Sequence, residues 1–386
     1  MSRIDDLIAE YCPDGVKHQT LGEIGEFIRG NGIQKRDFQD SGFGCIHYGQ
    51  IYTYYGLFAD HTKSFIDPNL AEKRKKAYKG DLVIATTSEN EEDVCKACAW
   101  LGEEPIAISG DAYIFRHHQN PKYISYCFQS ELFQSQKKKY ITGTKVLRVN
   151  GDAMAKIHVP VPPLPVQEEI VRILDSFSSL EAELEAELEA RRKQYTHYRD
   201  ELLKFERVLI ASLGELCKIS VGRKNGTAGE FGEYPYVNAG TSMSGFVNEW
   251  GEEGDCVTTP SRGQGGMGFV AYQASRFWCG PLCYVMRSKH SDVMIKYVYY
   301  YLCSHKADIL GLVHEGGTPA INKSELAGLR ILVPPFEEQQ RIVSILDRFD
   351  KLTNDLSSGL PAEIEARHKQ YEYYRDRLLS FDELAA

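Results

Sequence analysis

Two stretches of the sequence repeat each other. From Val161 it reads VPPLPVQEEIVRILDSFSSL and then EAELEAELEARRKQYTHYRDELLKF, ending at Phe205. From Val333 it returns as VPPFEEQQRIVSILDRFDKL and closes with EIEARHKQYEYYRDRLLSF. The period is about half the chain, too long for a solenoid of roughly 20–50-residue units. It marks two copies of one large module. In each copy a proline pair, Pro162-Pro163 or Pro334-Pro335, fixes an extended lead-in and ends the preceding segment.

Apolar residues then recur in steps of three and four. Ile170, Ile173, Leu174, Phe177, Leu180, Leu184 and Leu188 lead to Tyr195, Tyr198, Leu202 and Phe205. Ile342, Ile345, Leu346, Phe349, Leu352, Leu356 and Leu360 lead to Ile364, Tyr371, Tyr374, Leu378 and Phe381. This spacing predicts one apolar stripe on each of two helices of roughly 60 Å. Such a stripe needs an equally long partner, and the other copy supplies it, giving an antiparallel coiled-coil pair. The copies align at an offset of 172 through Leu352 and of 176 from Glu189 onward. The second therefore carries four extra residues around Ser357-Ser358-Gly359-Leu360-Pro361, a stutter with a helix break that restarts near Pro361. The first has no break and instead doubles EAEL over Glu181 to Leu188.

The domains read as residues 1–160, with a helical stub at 2–11, then 161–207, 208–332 and 333–386. The stub's Asp5-Asp6-Leu7-Ile8 resembles Asp200-Glu201-Leu202-Leu203, so it is expected to dock beside the C-terminal end. Leu21-Gly22-Glu23-Ile24 opens the first globular part and Leu213-Gly214-Glu215-Leu216 the second. Strand patterns fall at residues 45–48, 81–86, 112–116, 145–149 and 156–159, then at 256–259, 268–272, 283–287 and 329–333. Helical patterns cover 123–131 and 296–304. There is no clean βαβ alternation, so the fold class is α+β. The globular parts otherwise differ widely, as two unlike readers on one scaffold would.

The net charge is −9, which on its face argues against nucleic acid. Residues 160–207 and residues 332–386 each hold 11 acidic and 7 basic residues, leaving 32 acidic against 31 basic elsewhere. The acidity belongs to the helices, and a basic face on the globular parts remains open. The charged N-terminus is no signal peptide and no apolar run approaches a membrane span, so the expected compartment is the cytoplasm. The ten cysteines then read as thiols.

The candidate binding residues lie in polar, glycine-rich stretches, where the backbone can approach phosphate closely. In the second globular part they are Ser261, Arg262 and Gln264, then Thr318, Asn322 and Lys323, then Arg223, Lys224, Asn225, Asn238 and Thr241. Arg262 and Gln264 carry ends suited to guanine and adenine edges; Thr318, Asn322 and Lys323 suit phosphate. In the first part they are Lys35, Arg36, His47, Tyr48 and Gln50, then Thr87, Ser88 and Asn90, then Lys138, Lys139, Thr142, Thr144 and Lys145. The run from Lys73 to Lys76 reads as a solvated face. Gly263-x-Gly265-x-x-Gly268 fits a dinucleotide fingerprint but follows Pro260, with no βαβ unit and no acid about twenty residues on. Cys95-x-x-Cys98 and Cys279-x₃-Cys283 lack a zinc-site second half, and His117-His118 has no ligand partner in view. No Walker loop occurs.

On these residues the chain resembles the specificity subunit of type I restriction–modification systems. The resemblance is carried by CPDGV…LGEI, the two VPP helix starts and the two KQY-x₂-YRD-x-LL-x-F ends. It implies two target-recognition domains held apart by antiparallel helices with pseudo-two-fold symmetry, each domain reading one half of a bipartite double-stranded DNA site. It implies as partners two adenine methyltransferase subunits, carrying S-adenosylmethionine, and restriction/translocase subunits working with ATP and Mg. Outward helix faces, with Glu169, Arg172, Gln339 and Arg341, are the expected docking positions. The helices would set the spacer between half-sites, with the doubled EAEL as a length-determining repeat. The chain lacks the (D/N)PP(Y/F) tetrapeptide that adenine methyltransferases share, so no catalysis, cofactor or metal is expected on it. Two rival readings stay open: a coiled-coil adaptor without DNA binding, and an enzyme with an unrecognised site.

Overall fold

The structure is a computed structural model describing residues 3–224, 228–355 and 357–384. It divides into two compact units, Met1–Glu183 with Glu365–Ala386, and Leu184–Ile364. The division falls inside the repeated helices, so each unit joins one globular part to portions of both. Asn225 and Leu356 lie outside the described residues.

Unit 1 begins with α1 (Arg3–Tyr11). Its strands are β1 (His18–Thr20), β2 (Gly25–Arg29), β3 (Phe43–Ile46), β4 (Phe58–Ala59), β5 (Ser64–Ile66), β6 (Lys76–Ala77) and β7 (Leu82–Ala85). They continue with β8 (Thr87–Ser88), β9 (Lys96–Trp100), β10 (Ile106–Ile108), β11 (Ala112–His117), β12 (Leu147–Arg148) and β13 (His158–Pro160). One sheet runs β5-β3-β10-β6, another β2-β11-β7-β9-β4, with two-stranded pairs β1-β13 and β12-β8. The helices α2 (Tyr48–Thr53) and α3 (Pro121–Cys127) pack on these sheets. Helix α4 (Leu164–Leu202) runs 39 residues without interruption.

Unit 2 repeats the plan with fewer strands. They are β14 (Leu209–Ser212), β15 (Cys217–Val221), β16 (Tyr234–Val237), β17 (Phe246–Val247) and β18 (Cys256–Pro260). Then come β19 (Ala271–Gln273), β20 (Trp278–Cys279), β21 (Cys283–Ser288) and β22 (Arg330–Val333). Their sheets are β15-β21-β18-β19, β17-β16-β20 and β14-β22. Helix α5 (Ile295–Ser304) is the counterpart of α3, followed by α6 (Phe336–Asn354) and α7 (Leu360–Leu378).

The repeat is built from the same local chemistry in both units. Thr20 and Ser212 each close a capping box, accepting from the N–H of Glu23 or Glu215 while that carboxylate accepts from the cap N–H. Gln167 accepts from the Asn120 N–H at 3.0 Å and donates to the Pro162 carbonyl at 2.7 Å. Gln339 accepts from the Met294 N–H at 2.9 Å and donates to the Pro334 carbonyl at 2.9 Å. Each glutamine thereby ties the proline turn to the helix behind it. This corrects the reading of Gln339 as an outward docking position: its side chain is buried. Glu169 is likewise buried, held by Arg172 at 2.6 Å and Arg3 at 3.4 Å. Arg172 and Arg341 do stay exposed.

The stripes pair as expected within each unit. In unit 1 Phe177 of α4 stacks on Tyr374 at 5.4 Å; in unit 2 Tyr198 of α4 stacks on Phe349 at 5.7 Å. Within unit 1 Glu181 of α4 also meets His368 of α7 at 2.7 Å, so residue numbers rise on α4 as they fall on α7 and this pairing is antiparallel. Burial is uneven. Ile170, Leu174, Ile342 and Leu346 are fully buried, whereas Leu180 and Leu352 are more than a third exposed. Two helices cover each other on one side only, and full burial comes where a globular part packs as well. The break stands where the extra residues place it. Asp355 accepts from the Ser357 N–H at 2.8 Å and the Ser358 hydroxyl at 2.6 Å. Gly359 fits because a Cβ there would lie 2.5 Å from the Lys351 carbonyl oxygen, and α7 begins one residue later.

The segment that follows α1 docks at the C-terminal end within unit 1. Val16 donates to the Asp382 carbonyl at 2.9 Å and accepts from the Leu384 N–H at 3.1 Å. Gly15, at φ +104°, lets the Asp382 carbonyl oxygen come within 2.6 Å of where a Cβ would stand.

Several expected elements differ. The helix expected over residues 123–131 is α3 followed by a second short helix, Glu131–Lys137, because Ser130 caps the second by accepting from the Phe133 N–H. The strand expected over 145–149 shrinks to β12, and that over 268–272 to β19, since glycine-rich loops flank both. Strands β2, β9, β10, β15 and β16 were not among those expected.

Candidate nucleic-acid interface

In each unit four strands end at one place. In unit 1 they are β2, β3, β7 and β10; in unit 2, β15, β16, β18 and β20. The pairs β3–β10 and β16–β20 are parallel, so their carboxyl ends lie side by side. That crevice is where open sheets with parallel strands bind ligands.

The crossings match bond for bond. Ser109 donates to the Ile46 carbonyl at 3.2 Å, and Gly280 to Val237 at 2.7 Å. Gly30 donates to Ala112 at 2.9 Å, and Gly222 to Cys283 at 3.0 Å. Asn31 donates to Ile108 at 3.0 Å, and Arg223 to Cys279 at 2.8 Å. Thr86 donates to Asp111 at 3.2 Å, and Ser261 to Leu282 at 2.8 Å. The glycines are forced: a Cβ on Gly30 would stand 2.2 Å from the Ser109 carbonyl oxygen, and one on Gly222 would stand 2.1 Å from that of Gly280. On this common frame the side chains differ. Asn31 stands opposite Arg223, His47 opposite Asn238, and Thr87 opposite Arg262.

The frame gathers most of the expected contact residues of unit 1. His47 and Tyr48 follow β3, and the Tyr48 N–H donates to the Ser109 hydroxyl at 2.9 Å. Tyr52 ties α2 to the neighbouring strand by donating to the Thr87 carbonyl at 2.8 Å. Thr87 and Ser88 pair with β12, whose Arg148 bridges back to Thr142. This puts Thr142, Thr144 and Lys145 on one hairpin beside β8, all exposed. Lys35 and Arg36 are exposed on the turn after β2. Two of these expectations are corrected. Gln50 accepts from the His47 N–H at 3.0 Å and donates to Ser64 at 2.7 Å, so it caps α2. His47 is largely buried and caps the same helix by accepting from the Gly49 N–H; burial, with Lys35 nearby, holds its pKa below the usual value. Lys138 is exposed, pairs with Glu91 at 3.7 Å and lines a cavity of about 960 Å³ with Lys96, Gln129, His368 and Tyr371. Asn90 caps its own turn, bonding Asp93 at 2.7 Å; Lys139 is exposed.

In unit 2 all three glycine-rich stretches meet. Gly263 donates to the Pro319 carbonyl at 3.0 Å, Ile321 donates to Ser261 at 2.9 Å, and Arg262 bridges Ala320. Gly266 packs against the Ala239 carbonyl, where a Cβ would clash at 1.9 Å. Arg262, Gln264, Thr318, Lys323, Arg223, Lys224 and Thr241 are exposed on this composite surface. Asn238 is corrected: it accepts from the Leu282 N–H at 3.0 Å and locks the crossing. Asn322 leans on His314 at 3.3 Å, which pairs with Glu325 at 2.7 Å.

Arg29, Asn31, Asp111 and Arg148 join these surfaces and were missed. Aligning LGEIGEFIRG with LGELCKISVG at an offset of 192 would have found Gly30 and Gly222, and with them the strand ends.

The family model described as the type I restriction modification DNA specificity domain matches residues 13–190 and again residues 208–366. The chain belongs to this family. The two specificity-domain matches overlap the two globular parts and run into the helices that follow them. Among curated relatives, the EcoR124I/EcoR124II specificity subunit of Escherichia coli is 34% identical over 60% of this chain, and the chain spans 65% of its length. A type I specificity subunit of Mycoplasma pneumoniae, S.MpnORF615P, is 33% identical over 59% of this chain and 94% of its own. The fold is similar to that of the type I S subunit from M. genitalium, with a TM-score of 0.60 at 14% identity, covering 94% of this chain and 96% of that one. The HsdS subunit of Thermoanaerobacter tengcongensis gives a TM-score of 0.50 at 16% identity, covering 96% and 97%.

Among the described residues no group of three or more His, Cys, Asp or Glu could hold a metal, and no helix is long and apolar enough to cross a membrane. All ten cysteines are free thiols, nine of them buried. Burial pushes the Cys95 and Cys98 thiols up to about 12.

Proposed function

We propose that this chain reads a bipartite sequence in double-stranded DNA, one half-site per unit, at the strand-end surfaces. The observation that carries this is the pair of matching backbone crossings with unlike side chains. A shared frame fixes where base-reading loops are presented, and divergent residues on it give each unit its own target. Phosphate contacts from exposed lysines and arginines supply affinity, and Arg262, Gln264, Thr87 and Ser88 supply selectivity. Helix α4, common to both units, sets the spacer. Two adenine methyltransferase subunits dock on exposed helix faces that include Arg172 and Arg341, and restriction subunits join them. The chain itself is non-catalytic, and S-adenosylmethionine, ATP and Mg belong to the partners.

The test is co-expression with the neighbouring methyltransferase subunit in a methylation-free host, followed by genome-wide mapping of modified adenines. The expected result is one bipartite motif with a fixed gap. Copurifying subunits that leave no motif would make the chain an adaptor, and methylation without the partner would make it an enzyme.

A further inference from the structure

The basic run from Lys73 to Lys76 reads in the sequence as a solvated face, and two of its members behave so. Lys73 and Lys75 are exposed, and Lys76 lies over the Phe43 ring at 5.3 Å. Arg74 is different. Its guanidinium is drawn against the Gly30-Asn31-Gly32 turn that leaves β2. A Cβ on Gly32 would stand 2.8 Å from Nη1 and 3.0 Å from Cζ, and Gly32 sits at φ +55°. The Nε of Arg74 is buried without a partner, and no carboxylate among the described residues pairs with this side chain.

The placement is fixed from both sides. The Asn31 side chain donates to the Lys73 carbonyl at 3.1 Å and accepts from the Lys75 N–H at 2.8 Å, straddling Arg74. Arg29 is brought alongside, donating to the Gly110 carbonyl at 3.1 Å. Gly110 in turn packs on the turn, where its Cβ would lie 3.6 Å from the Gly32 nitrogen. Lys35 and Arg36, soon after the turn, and Lys73 and Lys75, flanking Arg74, form no ion pair with a described residue either.

A cation held in a built position with an unsatisfied buried donor calls for an anion from outside the chain. A guanidinium fork matches phosphate oxygens two at a time, and a glycine turn lets phosphate approach the backbone. We propose that Arg74 and the Gly30–Gly32 turn form a cradle for one DNA backbone phosphodiester flanking the half-site read by unit 1. The inference rests on the DNA-reading function above. Arg74 is a positioning residue in it: recessed behind the turn, it sets the register of the duplex and reads no base.

The test uses the full chain in complex with its methyltransferase partner and duplexes carrying the mapped motif, with Kd measured across a salt series. Arg74→Gln is expected to weaken binding about tenfold at low salt on cognate and unrelated duplex alike, and to reduce the salt slope by about one. The methylated motif stays unchanged. Gly32→Ala, whose Cβ evicts the guanidinium, gives the same phenotype and decides the matter where Arg74→Gln fails to fold. Wild-type affinity and slope in folded variants overturn the cradle while leaving DNA reading intact. Relaxed choice at one base of the motif assigns Arg74 to base reading and overturns it too. A wild-type complex that binds no duplex overturns the function on which the cradle rests.

Discussion

Asp175 accepts from Lys122 at 2.6 Å across the packing of α4 on α3, and the Tyr126 hydroxyl donates to its other oxygen at 2.8 Å. Asp347 repeats the arrangement in unit 2, with Lys296 at 2.8 Å and Tyr300 at 2.5 Å. The ion pairs are about one quarter to one third exposed, so screening reduces their worth, but the tyrosine bonds are less exposed. Asp175→Ala should cost about 1–3 kcal/mol by leaving two donors unmatched. Asp347→Ala should do the same in its own unit. Calorimetry of each variant checks this; an unchanged Tm in both would show the latch to be energetically idle.

Arg262 is exposed on a loop whose backbone is pinned to Pro319 and Ala320. Arg262→Ala should leave the fold intact and cost about 1–3 kcal/mol in discrimination at a single position of one half-site. Methylation mapping of the variant reads this directly. A motif identical to wild type would remove Arg262 from the reading set.

Helix α4 carries the doubled EAEL without a break. Removing Glu185 to Leu188 takes out about 6 Å of helix, close to two base pairs at a rise of about 3.4 Å. The expected outcome is a shorter spacer with both half-sites unchanged. An unaltered gap would separate spacer length from this helix.

His117 is buried beneath Phe115, and burial lowers its pKa to about 4. Its Nδ1 accepts from the Gln119 N–H at 3.1 Å, so the neutral ring is the folded form. The unfolded chain protonates near the ordinary value of about 6.5 and the folded chain does not. Stability therefore rises with pH between those values and is lost as pH falls from about 6.5 toward 4, by at most about 3 kcal/mol. His117→Asn, which keeps an acceptor for Gln119, should flatten this part of the Tm–pH curve. A variant as acid-sensitive as wild type would place the sensitivity elsewhere, with His47 as the next group, since its pKa is also lowered.

The sequence by itself determined the helical scaffold. Repetition, the proline pairs and the three-and-four spacing are local and periodic, so they fix helix, break and antiparallel pairing without reference to distant residues. The same repetition pointed the N-terminal stretch toward the C-terminal end, where Gly15 and Val16 meet Asp382 and Leu384. Loops rich in glycine were also legible as contact candidates, because glycine announces close backbone approach. Only the tertiary structure decided which of those polar residues face outward. Gln50, Asn238 and Gln339 share their composition with the polar residues left exposed, yet each accepts from a backbone N–H inside the fold. Arg74 went the other way, from a charge run to a cation beside Gly32 whose buried Nε has no partner among the described residues. Hydrogen-bond partners up to tens of residues away set these roles, and no local pattern encodes such a partner.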